Sequence, residues 1–253
     1  MNLRLDLAYD GAPFHGFARQ PGLRTVQGEI EDALARLYTC PVSSVGAGRT
    51  DAGVHALGQV MNAADLPEGR DLTQVRRALN AMCGPAIAVT RCSEVARDFH
   101  ARFSARSRTY VYAVLEGEIP DPFLARTTWH HAGALGIDAM NEGAGHLLGP
   151  HDFSSFGRVE PGANAERVLF ELSCRRTGRL VSIRARANAF IQQMVRSLVG
   201  TLVEVGSGKL DPTSIPGVLQ ARNRAAAGPV APPHGLCLVA VEYDEGWSQP
   251  SEV

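Results

Sequence analysis

Apolar and polar residues alternate with period two along "LRLDLAYD", residues 3–10, which sets Leu3, Leu5, Leu7 and Tyr9 on one face of an expected strand. The period then lengthens. In "TVQGEIEDALARLYT" Val26, Ile30, Leu34 and Leu37 recur at helical spacing behind Thr25, a residue type suited to an N-cap. A glycine-rich stretch, "SVGAGRTDAGVHALGQ", residues 44–59, separates this helix from a strand expected around Gln59 to Ala64. A second helix is predicted from Leu72 to Met82, with Asp71 and Gln74 at capping-box spacing and Gly84-Pro85 as its stop, and a strand follows from Ile87 to Val95. The second half reads similarly. It predicts a strand "TYVYAVLEG", a helix from Asp138 to Leu148, and strands "RVLFELSC" and "LVSIRARA" turning at Thr177-Gly178. A long helix, "AFIQQMVRSLVGTLVEV", with Ile191, Met194, Val195, Leu198 and Leu202 on its apolar side, leads through a short helical segment to a last strand, "GLCLVAVEY".

The fold class expected from this order is α+β, with two similar α/β halves, at 1–104 and 105–245, of a duplicated ferredoxin- or RRM-like kind. They are expected to join through a mostly antiparallel central sheet with the active-site cleft between them. Residues 246–253 read as a frayed tail. The repeat is one of elements, not of sequence.

Composition narrows the class. The 253 residues are 45% hydrophobic and 20% charged, which suits a folded globular protein and excludes collagen-like, coiled-coil and disordered chains. No apolar run approaches the roughly 20 residues needed to span a bilayer, so a cytoplasmic protein without a membrane partner is expected. The five cysteines are scattered, odd in number and without a CxxC pair, which argues against both a disulfide framework and a zinc site. The histidine pair His130-His131 lacks a third ligand at metal spacing, and no cofactor is expected.

The formal net charge of −1 hides a strong segregation. From Leu172 to Val203 there is no acid, while Arg175, Arg176, Arg179, Arg184, Arg186 and Arg196 all fall there; "RDFHARFSARSR", residues 97–108, adds four arginines against one aspartate. Acids bunch elsewhere, as at Glu116, Glu118 and Asp121, or at Glu242, Asp244 and Glu245. Such a pattern fits a basic surface that meets phosphates. A solvated strand face is the plainer alternative.

The glycine-rich stretch fits neither phosphate-loop pattern. A dinucleotide fingerprint needs glycine where Asp51 stands, and a nucleoside-triphosphate loop needs Lys-Ser/Thr where Val54-His55 follow Gly53. What remains is a carboxylate, Asp51, on a tight loop beside Arg49. Gly46, Gly48 and Gly53 would remove bulk and let a planar substrate approach, and Arg49 would favour the ionised carboxylate that a nucleophile or base must be. A surface Asx-turn with a salt bridge is the bland alternative.

"GAGRTDAGVHA" resembles the catalytic segment of the tRNA pseudouridine synthase A (TruA) family, and "YDGAPFHGFARQ", "TVQGEIEDAL", "FSARSRTYVY", "HDFSSFG", "NAFIQQMVRSLVGTLVEVG" and "APPHGLCLVAVEY" are similar to that family's other motifs, in its order. The resemblance spans nearly the whole chain. It implies that Asp51 is the catalytic aspartate, that Arg49 assists base flipping, that Tyr110 stacks on the target base and that Arg196 pairs with the aspartate. It further implies isomerisation of uridine to pseudouridine at positions 38, 39 and 40 of the tRNA anticodon stem-loop by a homodimer. The arginine tracts, with Arg184 and Arg186 among them, would then grip RNA phosphates. Phe17 and Ala18 stand where Trp-Gln is common in the family, Gln192 and Gln193 where a His pair is common, and Cys237 where tyrosine is frequent. Whether the carboxylate attacks C1′ or removes a sugar proton stays open. A non-catalytic RNA-binding protein and a nucleoside hydrolase are the alternatives.

Overall fold

The computed structural model describes residues 1–160 and 162–244, so the expected tail at 246–253 lies outside the described residues. Two compact units divide the chain, one made of Met1–Arg108 with the chain from Leu238 on, the other of Thr109–Cys237. Both are α+β, and their strands pair mostly antiparallel.

The first unit begins with β1 (Asn2–Tyr9), α1 (Val26–Tyr38), β2 (Ser44–Gly46), β3 (His55–Ala63), α2 (Leu72–Cys83) and β4 (Ile87–Val95). β1 lies between β4 and β3, antiparallel to both. β2 pairs with the edge of β3 away from β1, since Ala63 faces Leu3 on one side and Ser44 on the other. Strand, helix, hairpin, helix, strand in this spatial order is the ferredoxin-like arrangement. Thr25 caps α1 by accepting the Gly28 N–H at 3.2 Å, and Asp71 caps α2 by accepting from Thr73 at 2.8 Å. Each such cap is worth about 1 kcal/mol. Leu3, Leu5, Leu7, Ile30, Leu34 and Leu79 are fully buried. The polar alternates of β1 are buried as well, which period two alone did not predict: Asn2, Arg4 and Asp6 are each 5% exposed or less. Arg4 and Asp6 neutralise one another at 2.8 Å, and the Arg4 guanidinium lies 5.0 Å from the Tyr243 ring centre. β3 starts at His55, ahead of the expected Gln59, because its backbone pairs with β1 from Ala56, opposite Tyr9.

The second unit carries β5 (Ser107–Glu116), which enters from the first, then β6 (Trp129–His131), α3 (Ile137–Gly145), β7 (Gly149–Asp152), β8 (Glu166–Thr177), β9 (Leu180–Ala187), α4 (Met194–Gly206) and α5 (Ile215–Ala221). Its strand order is β5-β9-β8-β7, with β6 parallel to β5. β8 and β9 form the expected hairpin through Gly178, whose φ of +59° belongs to the left-handed region. β10 (Leu236–Glu242) then returns the chain to the first unit.

One device recurs. In the first unit the Asn80 amide on α2 binds both the N–H and the C=O of Val89, at 2.7 and 3.0 Å. In the second the Asn141 amide on α3 binds both backbone groups of Cys174, at 2.8 and 3.0 Å.

Two helices are shorter than their patterns predict. α3 stops at Gly145, not Leu148, as the next residues turn into β7. α4 begins at Met194, not at the alanine five residues earlier, because Gln193 adopts φ +65° and Gln192 instead takes the Arg158 N–H on its carbonyl at 2.9 Å. The glutamines that depart from the family's common pair thus lie at a helix entry. β2, β6 and β7 are too short to have been legible.

Candidate active site

Asp51 sits in the connection from β2 to β3, and the backbone on either side of it is tied down within the first unit. Ala47 N–H donates to Val60 O at 2.7 Å, and Ala47 O accepts from the buried Arg108 guanidinium at 2.9 Å. The Gly48 carbonyl accepts from the Gln59 amide at 2.9 Å. Thr50 is held twice: its carbonyl accepts from Phe17 N at 3.1 Å, and its hydroxyl meets the Tyr9 hydroxyl at 2.9 Å. Past Asp51, the Val54 N–H closes a turn onto the Asp51 carbonyl at 3.1 Å, with Gly53 at φ +79°. That angle is strained for any residue with a Cβ. Between these anchors Arg49 is exposed and Asp51 half-buried. The loop is thus held by backbone groups at Ala47, Gly48, Thr50 and Val54, with Arg49 exposed and Asp51 half-buried between them. A carboxylate held this way loses little entropy when it engages a substrate.

The N-terminal motif "YDGAPFHGF" is the other half of this support. A Cβ on Gly11 would fall 2.1 Å from the Val54 carbonyl oxygen, so the two loops touch backbone to backbone. Gly11 N–H donates to Nδ1 of buried His55 at 3.1 Å, and an Asp10 carboxylate oxygen lies 3.1 Å from the same nitrogen. The expected role of Gly46 needs correction. Its missing side chain makes room for the Phe17 ring, 2.3 Å from where a Cβ would stand, and not for a planar substrate. Phe17 is 1% exposed and leans on Tyr9 at 6.3 Å.

The remaining sequence-derived candidates fall in the second unit. Tyr110 on β5 is 7% exposed and meets Phe190 edge to face at 5.3 Å. Tyr112 points to the same side of the strand, as its spacing predicts, and is core: it is fully buried and donates to Pro232 O at 2.8 Å. Burial pushes its phenol well above the usual range, partly offset by the Arg196 charge. Arg196 stands in the first turn of α4, where its Nε donates to Ala231 O at 2.7 Å while its carbonyl accepts from Ala231 N. The guanidinium is thereby fixed in orientation.

The arginine tract divides by role. Arg184 donates to Glu171 at 3.3 Å; Arg186 is 4.0 Å from the same carboxylate and lies over the Phe170 ring at 5.3 Å. Both keep over a third of their side chains in water. Arg176, by contrast, pairs with Glu116 and the Leu135 carbonyl, while Arg179 binds the carbonyls of Glu116 and Ile119. Those two brace loops of the unit. Burial raises the Glu116 carboxyl, but the Arg176 hydrogen bond, the Leu135 N–H and the nearby charges outweigh it and hold its pKa below the ordinary value.

Tyr9, Phe17, Thr50, Gln59 and Arg108 support the loop, a role that the sequence did not assign to any of them. Arg108 had a legible signal: on β5 it shares a strand face with Tyr110 and Tyr112, an unusual place for a cation unless it is internally paired.

The site is thus an anchored loop that carries Asp51 and Arg49 on a ferredoxin-like unit, and the class of protein follows from the comparison with known families. The sequence pattern of the tRNA pseudouridine synthase family matches residues 7–104 and 144–244, and the chain belongs to that family, a class of isomerases. A tRNA pseudouridine synthase A of Dinoroseobacter shibae is 42% identical over 253 residues, covering 98% of each chain. That of Moorella thermoacetica is 42% identical over 247 residues, with 95% of this chain and 99% of the other covered. For Frankia casuarinae the identity is 44% over 246 residues, with 96% and 89% covered. The family expected from the motifs is the one found. Among the described residues no helix is long and apolar enough to cross a membrane.

Proposed function

We propose that this enzyme converts uridine to pseudouridine at positions 38, 39 and 40 in the anticodon stem-loop of tRNA, with Asp51 as the catalytic carboxylate. The observation that carries the assignment is the Asp51 loop: its backbone is anchored on both sides, its carboxylate half-buried, its neighbour Arg49 exposed. The reaction suits one carboxylate. The C1′–N1 bond breaks, the uracil turns, a C5–C1′ bond forms, and the proton lost from C5 is matched by one gained at N1. Asp51 acts at the sugar, as nucleophile on C1′ or as base toward a sugar proton. Arg49 assists the flipping that exposes the glycosidic bond, which costs a few kcal/mol. Tyr110 stacks on the flipped base, recovering roughly 1–3 kcal/mol, and the Phe190 ring has to share its space with that base. Arg196 is the second cation of the reaction site. Arg184 and Arg186 exchange Glu171 for RNA phosphates. The working form is a cytoplasmic homodimer.

Incubation of the purified chain with unmodified tRNA, followed by carbodiimide-dependent reverse-transcription mapping, tests this. Stops confined to positions 38–40 are expected. Asp51→Asn should lower turnover by at least about a thousandfold, while tRNA affinity stays within about tenfold, or about 1.4 kcal/mol. Release of free uracil would mean hydrolysis, and binding without any product would mean an RNA-binding protein; either outcome overturns the assignment.

A further inference from the structure

Phe103 is 77% exposed, yet the backbone beneath it is closely hydrogen-bonded. The segment leading to it is anchored at each residue. Phe99 O accepts from the Asn2 amide at 3.0 Å, Ala101 N donates to Asn62 Oδ1 at 2.9 Å, and Ala101 O accepts from the Tyr243 hydroxyl at 2.8 Å. The turn above is closed by Ser104 N–H to His100 O and by His100 N–H to Ser104 Oγ. His100 Nδ1 accepts the Phe103 N–H at 3.2 Å, and the two rings stack at 4.4 Å with 27° between their planes. The Arg102 guanidinium lies 5.6 Å from the Phe103 centre.

This turn is coupled to the Asp51 loop. One nitrogen of the Arg108 guanidinium, Nη2, donates both to Arg102 O and to Ala47 O, so the two carbonyls lie within about two hydrogen-bond lengths of each other. Charge distinguishes Phe103 from Phe123, and exposure distinguishes it from Phe170, which is 45% exposed beneath Arg186. Phe123, 93% exposed, follows Glu118 and Asp121 and takes an Asp121 oxygen on its N–H at 2.8 Å, surroundings that repel a polyanion. Phe103 lies in sequence between Arg97 and Arg108; of the arginines in that stretch Arg102 lies over its ring, Arg106 pairs with Asp244, and Arg108 is buried. An isolated exposed aromatic needs no explanation. One on a closely hydrogen-bonded turn, backed by imidazole, overlain by Arg102 and joined to the Asp51 loop, does.

We propose that Phe103, backed by His100 and flanked by Arg102, is a second stacking platform that holds an unpaired base of the RNA substrate beside the Asp51 loop. The proposal rests on the tRNA reading above. Phe103 is a positioning and binding residue in it, and touches no reacting atom. Fixing the ring in advance lowers the ordering cost that stacking has to overcome.

The full chain is assayed with tRNA transcripts in which 2-aminopurine replaces single anticodon-loop bases. Wild-type protein should alter the fluorescence at one loop position, and Phe103→Ala should abolish that change while raising KM about tenfold and changing kcat by less than twofold. Phe103→Trp should restore both readouts and Phe103→Leu neither, since leucine keeps the apolar contact and lacks the π face. A KM within twofold of wild type in Phe103→Ala, equal rescue by leucine, or a shift in sedimentation showing that Phe103 joins two protein copies would each overturn the proposal. Because fluorescence reports stacking and mapping reports product, a wild-type chain that stacks a base but forms no pseudouridine refutes the catalytic assignment and leaves the platform standing.

Discussion

The two units order their elements alike, as strand, helix, hairpin and helix, yet Arg4 and Arg108 of the first and Arg184 and Arg186 of the second stand in opposite surroundings. In the first, β1 and β3 are buried nearly throughout, and Arg4 and Arg108 turn inward while Arg91 on β4 stays exposed: Arg4 meets Asp6, and Arg108 donates to the carbonyls of Ala47, Arg102 and Ala105. In the second, the β8–β9 hairpin leaves alternate positions in water, so Arg184 and Arg186 share one carboxylate at the surface. A buried guanidinium is committed, since removing it strands acceptors that water does not reach. An exposed pair is worth about 0–1 kcal/mol and exchanges readily for a phosphate. Residues of one type thus serve as internal props, as Arg108 does for the Asp51 loop, or stand in water, as Arg184 and Arg186 do.

The contrast breaks first at Arg108. Arg108→Met leaves three carbonyls without their donor and should cost about 3 kcal/mol, lowering the melting temperature by roughly 6–12 °C. Turnover should fall with it, because Ala47 anchors the Asp51 loop. A loss under about 1 kcal/mol in calorimetry would show that water replaces the guanidinium and that the anchoring account is wrong. Gly46→Ala comes next: its Cβ overlaps the Phe17 ring and should cost about 1–3 kcal/mol. Adding Phe17→Leu should recover most of that in a double-mutant cycle; an additive result would place the strain in the backbone instead.

Glu116 sharpens the comparison from the second unit. Its folded pKa is depressed by Arg176 and the Leu135 N–H, so its contribution is complete above the unfolded value, near pH 4.5, and is lost as pH falls through the lower folded value. In urea titrations the stability gap between wild type and Glu116→Gln should therefore be constant above about pH 4.5 and narrow below it. A gap that widens on acidification would reverse the assigned sign. The smallest effect on stability belongs to Arg184→Ala and Arg186→Ala, each expected to change it by less than about 0.5 kcal/mol. Each should nonetheless reduce the salt slope of tRNA binding by about one unit. An unchanged slope would return both to the role of solvated ion pairs with Glu171.

Legibility followed the range of the forces involved. The extent of α1, its Thr25 cap and the span of β4 were readable because periodicity and capping act within a few residues. The start of α4 was not. Ala189, Phe190 and Ile191 fit a helical period, but Gln193 turns left-handed and the Gln192 carbonyl serves Arg158, over thirty residues upstream. Gly53 takes the left-handed φ of +79° that its residue type permits, but the space left at Gly46 was misread as the substrate's, since Phe17, which fills it, lies on another segment.

By itself the sequence determined the order of elements, the family, and the motif that carries Asp51 and Arg49. Only the tertiary structure decided which arginines are internal props and which face water, and that the Phe103 turn is tied through Arg108 to the Asp51 loop. The reason is that burial belongs to no single segment. The Arg108 side chain is charged wherever it stands, but it becomes a structural donor only when the Ala47 carbonyl, 61 residues away in the chain, is brought to it and water is excluded.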